Sequence, residues 1–186
     1  MPFAFQRRRG TTAQHASFTG LLGELTVDTD KDTVVVHDGS TAGGFPLARA
    51  SGGTLADTTI RGIEEDITVV ASAATGTINF DVSTASIWYY TSNATANHTL
   101  NFRYSSSVTL NTALPVGDTI TLVWLNTNGA TPYYPSTIQI DGTTVTPKVP
   151  AAITAGNASS IDAFSFTIIK TAANTYTVLE TQTKFA

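Results

Sequence analysis

Five carboxylates, a lysine and a histidine fall within GELTVDTDKDTVVVHDGSTAGG, residues 23–44. Asp28, Asp30 and Asp32 stand two apart, as oxygen ligands do at the start of a calcium loop. Such a loop also needs a central glycine and a closing glutamate; here the central glycine is absent, valines fill ligand positions and Gly39 stands where the glutamate should be. Zinc has less support, because His15, His37 and His98 are far apart and the chain has no cysteine. Nucleophilic catalysis lacks its pattern: no serine lies in G-x-S-x-G, and His37 and Asp38, adjacent on a strand, project to opposite faces. Glu64, Glu65 and Asp66 are consecutive, whereas glycosidase chemistry needs two carboxylates facing each other across a cleft. The segment ATGT at 74–77 has neither the lysine nor the helix of a phosphate loop. These absences point to a chain that is not an enzyme and that needs no cofactor or metal. The carboxylates and glycines of the opening stretch read instead as parts of a tight hairpin: Gly23, Glu24, Asp28, Asp30, Asp38, Gly39, Gly43 and Gly44.

Two constellations suit binding. Arg7, Arg8 and Arg9 are the one concentrated positive run in a chain of net charge −4. They suit either an exposed terminus that aids solubility or an arm that docks on a carboxylate-rich surface through bidentate guanidinium pairs. Three charges in an acidic chain make a weak polyanion site, so no specific nucleic acid is expected. Trp88, Tyr89 and Tyr90, with Tyr133 and Tyr134, are the aromatic concentrations. They suit a glycan platform, core packing or a subunit interface. Strand alternation sends Tyr89 to one face and Trp88 and Tyr90 to the other, which favours an interface covering the second face.

The elements that must position these residues are strands. The chain has 186 residues, only 13% of them charged, and no apolar run long enough to span a membrane. Fifteen of the twenty-four formally charged side chains lie in residues 1–66. That shift predicts an arm and hairpin over 1–50, a linker over 51–66 and a β domain over 67–186. GELTVDTD and TVVVHD make the hairpin, with Leu25 and Val27 alternating against Glu24, Thr26 and Asp28. A lone hairpin is marginal in water and needs a partner. From Ile67 the sequence reads as two strands about Gly76, then ASIWYYTSN and HTLNFRY, then SVTLNTAL leading into VGDTITLVWLN. A hairpin about Asp141-Gly142 follows, and a last pair of strands is joined at 172–174. With no helix of three turns in view, the expected fold is all-β: an antiparallel β-sandwich or jelly-roll-like domain preceded by an N-terminal arm and β-hairpin module.

The run QRRRGTTAQHASFTGLLGELTVDTDKDTVVVHDGSTAGGFPLA resembles a module found at the start of many tailed-phage fibre and baseplate-associated proteins. The matching residues are Arg8, Arg9 and Gly10; Gly23, Glu24, Leu25, Asp28, Thr29 and Asp30; and His37, Asp38, Gly39, Thr41, Gly43 and Gly44. The distal half, in TLNFRYSSSVTLNTALPVGDTITLVWLNTNGATPYYPSTIQIDGTTVTPK and SIDAFSFTIIKTAANTYTVLETQTKFA, is similar to a module of structural proteins of marine phages, including those of cyanobacteria. The resemblance implies a homotrimer located in the virion and assembled in the host cytoplasm. Its N-terminal motif would join another virion structural protein, with Arg7, Arg8 and Arg9 as docking residues, and its β domain would face outward. Nothing in the sequence forms a long shaft, so a short fibre, fibre adaptor or tail decoration is expected. The alternatives are a capsid head decoration protein or an adhesin for host surface glycan using Trp88, Tyr89, Tyr90, Tyr133 and Tyr134. No membrane insertion is expected.

Overall fold

A computed structural model describes residues 7–47 and 64–185, and the chain divides into two compact units, Met1–Gly62 and Ile63–Ala186. Most of the expected linker, residues 51–63, lies outside the described residues.

The first unit is a four-stranded sheet with one short helix. β1 (Arg9–Gly10) is followed by α1 (Thr12–Ala16), β2 (Leu25–Asp28), β3 (Thr33–Val36) and β4 (Phe45–Pro46), in sheet order β1-β2-β3-β4. The β2–β3 hairpin is antiparallel, with Leu25 opposite Val36 and Asp28 opposite Thr33; its turn closes on Asp32 at φ 47°. The hairpin finds its partners in its own chain. β1 adds in parallel through Val27 N–H to Arg8 O (3.0 Å) and Thr29 N–H to Gly10 O (2.9 Å), and β4 adds antiparallel to β3. Burial along β2 runs opposite to hydropathy: Thr26 and Asp28 are buried, while Leu25 and Val27 are half-buried. Inward polar residues require inward polar partners, and these partners define the unit.

The second unit carries nine strands: β5 (Ile67–Ala73), β6 (Thr77–Asp81), β7 (Ile87–Ser92), β8 (His98–Arg103), β9 (Thr119–Thr127), β10 (Pro135–Ile140), β11 (Thr143–Val145), β12 (Ile161–Ala172) and β13 (Thr175–Phe185), with α2 (Leu110–Ala113) before β9. They form a four-stranded sheet, β11-β10-β8-β6, and a five-stranded sheet, β13-β12-β9-β7-β5. Rings from both sheets meet in one core, with Phe80 against Trp88 at 5.1 Å, Phe102 against Phe166 at 4.8 Å and His98 against Trp124 at 5.5 Å.

The unit is mostly β, as expected, but its sheets are mixed, not antiparallel. β5, β7 and β9 run parallel, as do β6, β8 and β10, and no jelly-roll order results. Parallel neighbours need a long crossover, and here each crossover contains a strand of the opposite sheet. β6 lies between β5 and β7 in sequence but across the core in space, and β7 stands likewise between β6 and β8. The Gly76 turn and the Asn-rich loop before His98 therefore carry the chain between sheets instead of closing hairpins. The two expected hairpins further on are present. Asp141 and Gly142, at φ 50° and 80°, join β10 to β11, and Asn174 at φ 52° turns β12 into β13. Within SVTLNTAL, residues 110–113 form α2, because Asp141 accepts from the Leu110 and Asn111 amides and Lys170 Nζ donates to the Asn111 and Leu114 carbonyls.

Candidate functional site

The first unit is built around a hydrogen-bond chain through its two histidines. Gly20 N–H donates to His37 Nδ1 (3.3 Å), so His37 carries its proton on Nε2 and donates to Thr26 Oγ1 (2.9 Å). The Thr26 hydroxyl then donates to His15 Nε2 (2.8 Å), and His15 Nδ1 donates to Thr11 O (3.0 Å). Each polar atom of the buried Thr26, His15 and His37 side chains is thereby paired in one consistent set of tautomers. Gly44 is required beside it: φ is +61°, and a Cβ there would lie 2.7 Å from His37 Nδ1 and 2.8 Å from Val35 Cγ1.

The carboxylates of the opening stretch are spent on the same scaffold. Asp28 accepts from the Thr12 hydroxyl (2.8 Å) and from the amides of Asp30 (3.0 Å) and Lys31 (3.2 Å), and Asp30 accepts from Thr12 N–H (3.0 Å). Desolvation raises the Asp28 carboxyl, but the Thr12 hydroxyl and the two amides outweigh it and leave the pKa below the ordinary value. Asp38 accepts from the amides and hydroxyls of Thr41 and Ser40, and the Thr41 and Ser40 amides hold its pKa well below the usual carboxylate range. His37 and Asp38 have separate partners, so no acid–base pair forms. Glu24 accepts from Leu21 N–H (2.9 Å) and pairs with Arg8 at 3.1 Å. Gly23, Gly39 and Gly43 all have positive φ, at 78°, 80° and 88°.

Arg7, Arg8 and Arg9 are exposed. The Arg8 guanidinium also lies 4.9 Å from the Phe18 ring centre, and Arg8 and Arg9 line a hollow of about 240 Å³ with Gln14, His15 and Phe18. Nearby loop residues Leu21 and Leu22 are 78% and 82% exposed. The module thus has a stitched polar interior and a surface that combines cationic and apolar groups.

In the second unit the aromatic residues do not gather on one platform. Trp88 and Tyr90 point into the core, Tyr90 4.6 Å from Trp124, while Tyr89 pairs along the outer face with Val69 and Leu125. Tyr133 and Tyr134 pack against the core edge. Their loop is fixed by amides: Tyr133 N–H donates to Asn128 Oδ1 (2.9 Å), Asn126 Nδ2 donates to Tyr133 O (3.0 Å), and Tyr134 N–H donates to Asn97 Oδ1 (3.2 Å). Asn128 also donates to the fully buried Asp162, whose carboxyl burial pushes up despite the Asn157 amide at 2.7 Å. Gly156 sits against this network, where a Cβ would come within 2.4 Å of Tyr133 O.

Sequence reasoning missed His15, Thr26 and His37 as a unit, the Asn126–Asn128–Asp162 network, and the buried Lys170 and Glu180. A signal existed for the last two. Period-two alternation from Phe164, Phe166 and Ile168 lands on Lys170, and from Val178 on Glu180, putting charge in core rows.

The first unit is a small four-stranded β module with one short helix and, among its described residues, no catalytic arrangement. Known proteins resemble it in sequence. Residues 6–41 match the family described as the Major tropism determinant N-terminal domain. A stretch of 49 residues, 26% of the chain, is 76% identical to the tail fiber receptor-binding protein of Bordetella phage BPP-1 and spans 13% of that protein. Among solved structures, the Major Tropism Determinant I1 and M1 variants are 78% identical over 24% of this chain and 12% of theirs, with a TM-score of 0.24.

Proposed function

We propose that this chain is a non-enzymatic structural protein of a tailed-phage particle, tail-associated as a short fibre, fibre adaptor or tail decoration. The carrying observation is the 76% identity over 49 residues to a protein named for the tail fibre. In this reading the first unit joins another virion protein. Arg7, Arg8 and Arg9 meet carboxylates of that partner, and Leu21 and Leu22 supply apolar contact beside them. A place on the capsid head as a decoration protein is the alternative location.

The second unit faces outward in the particle and assembles as a homotrimer through the outer face of its five-stranded sheet. Outward positions run Ile67, Ile87, Val123, Ser165 and Thr181 in one register row and Val69, Tyr89, Leu125, Ala163 and Thr183 in the next. No outward position on these five strands is charged, and Ile67 and Val69 are 46% and 60% exposed. Depletion of charge over a whole sheet face is the mark of a buried interface core. Identical copies related by a closed rotation cover such faces with one another.

The test replaces Arg7, Arg8 and Arg9 together with Gln and measures incorporation into purified particles in competition with wild type, alongside oligomeric state in solution. Reduced occupancy with an intact trimer supports docking; wild-type occupancy with a normal trimer removes it.

A further inference from the structure

Glu180 is a carboxylate in the wrong place for a purely structural residue. It projects inward from β13, opposite Phe166 on β12, and is 5% exposed. Its Oε1 has no hydrogen-bond partner. Its backbone is held by the chain crossing beside it, Glu180 N–H donating to Lys148 O (3.0 Å) and Lys148 N–H to Val178 O (2.8 Å). With its backbone held in this way, Glu180 lines a cavity of about 310 Å³ together with β10, β11 and the segment following β11.

The lining of that cavity is rich in hydroxyls, from Tyr134, Ser136, Thr137, Thr144 and Thr146. Pro147, Val149 and Ile153 supply apolar surface beside them. The volume is at the small end of ligand pockets, which begin near roughly 300 Å³. We propose that this cavity is a binding site for a neutral polyhydroxylated ligand of monosaccharide size, with Glu180 accepting from its hydroxyls at the floor and the Tyr134 ring at the side.

Each alternative occupant leaves an observation unused. An apolar ligand would bring the Glu180 carboxyl no hydrogen-bonding group, and an unpaired buried polar group is costly. A cation would find a single carboxylate among hydroxyls, with no second anionic group in the lining. Burial also raises the Glu180 carboxyl to about 7, so near neutrality it serves both as donor and as acceptor. That dual capacity suits hydroxyl groups, which need both. The inference does not rest on the proposed place in the virion.

The test is ligand-observed saturation-transfer NMR on the full chain. Its panel comprises neutral aldohexoses, 6-deoxyhexoses and N-acetylhexosamines, with methylammonium and glucosamine as cationic arms. Saturable binding of at least one neutral pyranose is expected. Glu180→Leu should weaken it by about tenfold or more, since the ligand loses its buried acceptor. Thr144→Trp, at an exposed position on the cavity rim, should block it without touching the core, and decides the matter if Glu180→Leu fails to fold. Failure of every neutral pyranose to bind, stronger binding of methylammonium or glucosamine than of any neutral sugar, or binding that survives Thr144→Trp overturns the proposal.

Discussion

Two buried titratable groups in the second unit oppose each other, and their balance can be tipped by one substitution. Burial raises Glu180 from 4.5 to about 7, and burial lowers His98 from 6.5 to about 4 against a smaller effect of the Ala96 carbonyl. Each separation is about two and a half pH units, or roughly 3 kcal/mol at 1.36 kcal/mol per unit. The signs differ. Folded Glu180 binds more protons than unfolded Glu180 between 4.5 and about 7, so its contribution to stability falls as pH rises through that window. Folded His98 binds fewer protons than unfolded His98 between about 4 and 6.5, so its contribution rises over nearly the same range. Wild-type stability from these two groups should therefore be almost flat between pH 4.5 and 6.5. Glu180→Gln removes the falling part, so the variant should gain roughly 3 kcal/mol across that interval relative to wild type. His98→Asn should do the reverse, whatever the fixed cost of losing its ring. Urea unfolding followed by tryptophan emission is the assay, because both tryptophans, Trp88 and Trp124, lie in this unit. Other titrating groups, such as Asp162, drop out of the difference between variant and wild type. A Glu180→Gln profile parallel to wild type would refute the reasoning.

Thr26→Val keeps the shape of the side chain but strands the two histidine nitrogens that it pairs. At about 1–3 kcal/mol per orphaned buried group, a loss of roughly 2–4 kcal/mol is expected in a unit with little stability to spare. Amide exchange over residues 24–38 should accelerate at least thirtyfold, about what 2 kcal/mol gives, and unchanged exchange would contradict the chain of tautomers. Gly156→Ala should force the Tyr133 carbonyl to move, at about 1–3 kcal/mol for overpacking, and show as chemical-shift changes at Asn126, Asn128 and Tyr134. Val69→Asp together with Leu125→Asp places charge on the uncharged sheet face and should convert the trimer to folded monomer in sedimentation; a wild-type chain that is monomeric at micromolar concentration removes the trimer outright.

What the sequence made legible followed local chemistry. The Asp141-Gly142 turn, the Asn174 turn and the β2–β3 hairpin are set by residues that accept positive φ between alternating strands. Strand partners were less legible, because Gly76 marks a reversal without saying whether the next strand pairs beside the last or crosses the core. At β2 the hydropathy pattern suggested the wrong buried face: Thr26 and Asp28 go inward because His15, His37 and Thr12, distant in sequence, arrive to pair with them. Arg7, Arg8 and Arg9 were visible as a charge run, while the tie of Arg8 to Glu24 and to the Phe18 ring needed the folded sheet. Glu180 could be placed in an inward row by counting, but the rest of the cavity before it comes from residues 134–153, far from it in sequence.

The central claim is that this protein is a tail-associated virion component joined through its first unit. Immunogold electron microscopy of purified particles, with antibody raised against residues 64–185, tests it most directly. The account predicts gold on the tail of intact particles and its loss in particles carrying the Arg7, Arg8 and Arg9 triple substitution. Gold confined to the head, or particles that carry none of the protein, would contradict it.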